Sequence, residues 1–151
     1  MKKLILFCFM VCTLSANYKI IENENLFSVK VESESFQEVL VNLKDEISFQ
    51  GFIIVHELNL AKSTSNVAKA LKQKAVLTNG INLLMCKSSF TLKMIQENPS
   101  NITYCPLGIS IYEVKNEVFI SYKKYHKLNF DDKIFKEVNE KLKNLILKSL
   151  D

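Results

Sequence analysis

Five side chains in this sequence have the chemistry of soft ligands: Cys86, Cys105, His56, Met85 and Met94. Thiolate, imidazole and thioether together suit copper(I), zinc or haem iron. Of these, His56, Met85, Cys86 and Cys105 are the candidate metal or haem ligands. The chain contains no C-x-x-C, C-x-x-C-H or H-x-x-x-H pattern, so only the fold can bring two of them together. The same two cysteines admit a disulfide, which would close a loop of about 20 residues and stabilise by roughly 3 kcal/mol. That bond requires a Cα separation near ~5.5 Å. Two free thiols buried as small hydrophobes are the third possibility. A reactive redox pair has less behind it, because no neighbouring pattern would depress a thiol pKa. For His56, in an apolar run with Phe52 and Ile54, the plain alternative is a partly buried, hydrogen-bonded histidine. Met85 and Met94 are equally suited to filling a core.

Catalytic signatures are missing. There is no G-x-S-x-G, no H-E-x-x-H and no glycine-rich phosphate loop, and three glycines in 151 residues leave little to build one from. All 20 basic residues are lysine, so the planar fork with which arginine grips phosphate is unavailable and dedicated nucleic-acid recognition is not expected. Lys123-Lys124-Tyr125-His126-Lys127 forms a short basic run, which reads as a solvated connection. Asn101-Ile102-Thr103 fits a glycosylation tripeptide.

The chain opens with Met1-Lys2-Lys3, an apolar run from Leu4 to Val11, and Cys12-Thr13-Leu14-Ser15-Ala16. These are the charged, apolar and small-residue regions of a secretory signal peptide, with cleavage expected after Ala16. The run is too short to span a bilayer, which takes about 20 apolar residues. Membrane contact is therefore expected only through this leader. Its removal takes Cys8, Cys12, Lys2 and Lys3, lowering the formal charge from +4 to +2 and leaving two thiols in an oxidising space. Residues 17–25 read as a polar lead and residues 26–151 as one domain.

Within that domain, Phe27 to Glu32 alternates apolar and polar as a half-buried strand does. Ser35 and Glu38 form a capping box ahead of Phe36, Val39, Leu40, Leu43 and Ile47, and Gly51 ends this helix. Phe52 to Glu57 is nearly all apolar, which predicts a central strand. Ser63, Thr64 or Ser65 is expected to cap a short helix through Val67, Ala70 and Leu71, and Thr78-Asn79-Gly80 to form a turn. Ile81 to Cys86 reads as a strand. Ser88 or Ser89 would cap a helix carrying Phe90, Met94 and Ile95 until Asn98-Pro99 breaks it. Two strands flanking Lys115-Asn116 make a hairpin, and Asp131 or Asp132 would cap a last helix with a stripe from Ile134 to Ile146. The sum is an α+β fold, a largely antiparallel sheet of about five strands with helices packed on it.

The strand ending in Met85-Cys86, the Asn98-Pro99 break, Cys105-Pro106 leading into a strand, and the pair Ile109-Ser110-Ile111-Tyr112-Glu113 and Val118-Phe119-Ile120-Ser121-Tyr122 resemble the domain of unknown function 302 family. The resemblance spans about Leu26 to Leu147. It implies a fold similar to the TATA-binding-protein-like class, often dimeric, without an established activity. Two positions depart from the family: Cys105 precedes Pro106 where members often have Cys after the Pro, and Lys87-Ser88 stands where Asn-Pro is common. The function expected is an exported, periplasmic or secreted module that binds a small apolar ligand, haem or an envelope protein. The alternative is a soft-metal or thiol-redox protein using Cys86 and Cys105 with His56 or Met85.

Overall fold

A computed structural model describes residues 17–32, 34–126 and 133–151. The leader and the caps expected at Asp131 and Asp132 lie outside these residues, as does Lys127. Among the described residues, six strands form one antiparallel sheet: β1 Tyr18–Glu22, β2 Leu26–Val31, β3 Ile53–Asn59, β4 Asn79–Cys86, β5 Leu107–Val114 and β6 Glu117–Lys123. Their order across the sheet is β1-β2-β6-β5-β4-β3. Four helices among the described residues accompany them: α1 Phe36–Phe49, α2 Leu60–Ala70, α3 Ser88–Glu97 and α4 Lys133–Lys148. A 3-10 segment, Pro99–Tyr104, follows α3.

Alternation along the strands sends one set of side chains into the core and the other set to the opposite face. Phe27, Val29 and Val31, then Leu83 and Met85, then Leu107, Ile109 and Ile111, then Val118, Ile120 and Tyr122 line the inner face. Val39, Leu40, Leu43 and Ile47 of α1, Phe90 and Met94 of α3, and the stripe Ile134, Phe135, Val138, Leu142, Leu145 and Ile146 of α4 cover them. The capping box forms as its residues dictate, with Glu38 accepting from the Ser35 backbone N–H at 2.9 Å. Gly51 leaves α1 at φ 74°, where a side chain would be strained. The β5–β6 turn has positive φ at both Lys115 and Asn116, matching the right-handed twist of its strands.

Five expectations need correcting. The lead at 17–25 contains β1, which pairs in register with β2; at an edge, polar and apolar residues need not alternate strictly, so periodicity missed it. β3 is the opposite edge rather than a central strand, and its Ile53 and Val55 are 68% and 52% exposed. Asn59 caps α2 through its side chain, not Ser63, Thr64 or Ser65, and Asn79-Gly80 opens β4 instead of turning. Lys87 occupies the position before α3 without a side-chain cap bond, while Ser88 and Ser89 are already helical. No helix among the described residues is long and apolar enough to cross a membrane.

Candidate functional site

β4 carries the candidate residues to two different places. Met85 faces inward and is fully buried, whereas Cys86, one residue on, belongs to the outer set and is half-buried. Adjacent strand positions point to opposite faces, so Met85 and Cys86 do not share a site. Met94 is buried in the core beside Phe90 on α3. His56 stands opposite Leu84, after a register shift at Val55, on the exposed edge. Among the described residues no three His, Cys, Asp or Glu side chains gather as a metal would require.

The two thiols, by contrast, are neighbours. Met85 pairs with Leu107, which sets Cys86 beside the chain leading into β5, where Cys105 lies. Both are free thiols. Burial, then hydrogen bonding and charge interaction with Cys105, pushes the Cys86 thiol up to about 11. Thr91 of α3 brings its Oγ1 to 3.5 Å from Cys105 Sγ. Tyr125 closes the other side: its Oη accepts from the Gly108 N–H at 3.1 Å, and burial raises its pKa, with the nearby Cys105 adding to the shift. Asn139 of α4 clamps Tyr125, accepting from its N–H and donating to its carbonyl, both at 2.9 Å.

The second feature is the outer face itself. At its centre the cross-strand positions carry short polar side chains, Ser28, Ser121, Ser110 and Asn82. The Ser28 and Ser121 hydroxyls are 2.7 Å apart and buried, and Asn82 Nδ2 donates to Ser110 Oγ at 3.0 Å. Asn82 Oδ1 is buried and accepts no hydrogen bond among the described residues, an arrangement that ordinarily costs about 1–3 kcal/mol. Small residues here hollow the sheet surface. Gly80 lets α2 approach so closely that an added Cβ would come within 3.4 Å of Ala61 Cβ and 3.1 Å of Leu77 Cδ1. Between the first turn of α2 and the strands lies a cleft of about 280 Å³, walled by Leu26, Leu60, Leu77 and Tyr112 above Ser110 and Ser121. Tyr112 is held by stacking on Phe119, 5.2 Å away.

The family model for the domain of unknown function DUF302 matches residues 27–149. The chain belongs to this family. The crystal structure of an uncharacterized conserved DUF302 protein from Bacillus stearothermophilus superposes with a TM-score of 0.66 at 16% identity, covering 85% of this chain and 98% of that one. At that identity the likeness concerns the fold. A comparison with curated proteins finds no match.

Sequence reasoning singled out the thiols and missed the cleft. Its signal was present: Ser28, Ser110 and Ser121 occupy outer-face positions of strands otherwise rich in large residues. Only the pairing shows that these serines are neighbours. The glycosylation tripeptide resolves the other way, since Asn101 is 2% exposed and its Nδ2 donates to the Met94 carbonyl at 3.0 Å.

Proposed function

We propose that this member of the family is an exported domain that binds a small, mainly apolar molecule on the outer face of its sheet. The cleft between α2 and the strands carries this reading: aliphatic and aromatic walls over the Ser110 and Ser121 hydroxyls. Binding sites combine largely apolar lining with a few fixed polar groups. A volume of about 280 Å³ falls just below the roughly 300–1,000 Å³ usual for small-molecule sites, so the ligand is compact. Export rests on the apolar leader. Envelope protein whose sequence begins at Asn17 is the expected product, and an uncleaved precursor retained inside the cell would overturn that part.

Binding is tested with a neutral naphthalene fluorophore. One saturable site is expected, weakened about tenfold or more in Leu60→Lys, which removes one apolar contact and places a charge at the cleft. Leu60 is partly exposed, so the fold should tolerate the change. Non-saturable binding, or affinity in Leu60→Lys and Ser110→Leu equal to that of the unaltered chain, would sink the proposal.

A second reading has its own observation. Among the described residues β3 is a sheet edge with no strand on its outer side, and its Ile53, Val55 and Leu58 are exposed; such an edge accepts an added strand from a protein partner or a second copy.

A further inference from the structure

We propose that Cys86 and Cys105 form a reversible disulfide, making the end of β4 a two-electron thiol switch separate from the cleft. The two residues stand at the feet of the excursion through α3 and Pro99–Tyr104, which leaves the sheet at Cys86 and returns at Cys105. The β4–β5 register brings those feet together. Each thiol is half-buried, so neither is sealed from solvent. No third ligand of the His, Cys, Asp or Glu type completes a metal site with them among the described residues.

The chemistry is thiol–disulfide exchange with a low-molecular-weight disulfide. The Cys105 thiol loses its proton to solvent, and its thiolate attacks one sulfur of the oxidant; a mixed disulfide forms and the first small thiolate leaves. Cys86 then gives up its proton and displaces the second small thiolate from Cys105 Sγ. The balance is two protein thiols plus one small disulfide giving one protein disulfide plus two small thiols, with two electrons passing to the oxidant. Cys105 is the better placed to begin, because the Thr91 hydroxyl, which donates to the Lys87 carbonyl at 3.3 Å, stands 3.5 Å from its sulfur and can turn to donate to the thiolate once that forms. Burial and the neighbouring thiol hold Cys86 protonated, which suits the resolving role.

The test is equilibration of the full chain in glutathione buffers of graded potential, followed by acid quenching, thiol titration and intact-mass measurement. The expected result is coupled loss of the Cys86 and Cys105 thiols, with the mass falling by two hydrogens for their bond and peptide mapping joining the pair. Cys86→Ser should instead accumulate a glutathione adduct on Cys105, and Thr91→Val should slow formation several-fold while leaving the midpoint nearly unchanged. Two independently titrating thiols, stable glutathione adducts on the parent chain, or bonds only between molecules would overturn the proposal. The parent-chain measurement decides even if a variant fails to fold.

Discussion

Asn101 occupies a position whose local sequence suggests modification, yet its amide is committed to holding the Met94 carbonyl at the end of α3. Asn101→Ala removes one of two donors to that carbonyl, the Asn98 N–H remaining at 3.2 Å, and a loss of about 0.5–1.5 kcal/mol in urea-melt stability is expected. A change below about 0.5 kcal/mol would mean that the bond carries no weight. Titratable residues make a second prediction. Burial pushes Cys86 up to about 11 and raises Tyr122 and Tyr125. The folded chain therefore keeps protons that the unfolded chain releases above about pH 8.5 for thiols and 10 for phenols. Stability from these groups is complete below that range and falls as pH rises through it. The acid side is opposite in sign. The hydrogen bond from Lys124 lowers Glu22, despite opposition from burial, and the Ser35 backbone N–H lowers Glu38. Their contribution is present above the ordinary carboxylate range near about 4.3 and is lost as pH falls through their lowered values. Urea melts across pH should show a plateau between about 5 and 8 with decline on both sides; rising stability between about pH 9 and 10.5 would contradict the alkaline assignment.

At the scale of elements, legibility followed how strongly local chemistry and burial agreed. The helix at 36–49 could be read from its capping box, its 3.6-residue stripe and its terminal glycine, all of which act locally. The β5–β6 hairpin was readable because Lys115-Asn116 sits between apolar runs. β3 misled, because Phe52, Ile53, Ile54 and Val55 look like a strand covered on both faces, and nothing in their types reveals that Ile53 and Val55 face solvent. The thiols were visible as residues but not as neighbours, since their meeting depends on the β4–β5 register. Two predictions belong here. Gly51→Ala meets nothing closer than the tip of Lys87 at 3.5 Å, so its cost comes from backbone strain at positive φ, about 1–2 kcal/mol by chemical denaturation. A neutral result would show that the turn can relax. On β3, Val55→Lys should leave thermal stability nearly unchanged while raising the temperature at which the protein aggregates, as charges on exposed edges do. Unaltered aggregation would direct attention to another surface.

For the whole molecule, the two faces of the sheet differ in what covers them. Helices α1, α3 and α4 close the inner face, while the outer face receives α2 near Gly80 and carries the cleft. Amide exchange should reflect this asymmetry. The slowest protons are expected in β2, β4, β5 and β6, where strands are flanked on both sides and carry fully buried side chains such as Val29, Leu83, Ile109 and Ile120. The fastest are expected at the β3 edge and in α2, whose only buried residue is Ala61. Uniform protection across all six strands would show that unfolding is wholly cooperative. The excursion between the two cysteines has another bearing on the integrity of the chain. Lys93 lies inside it, exposed and paired with Glu137 of α4. Severing the peptide bond after Lys93 would yield two fragments once the sulfurs are reduced and a single covalent species while they are joined. A lysine-directed protease would thus turn the redox history of this protein into a difference in fragment size.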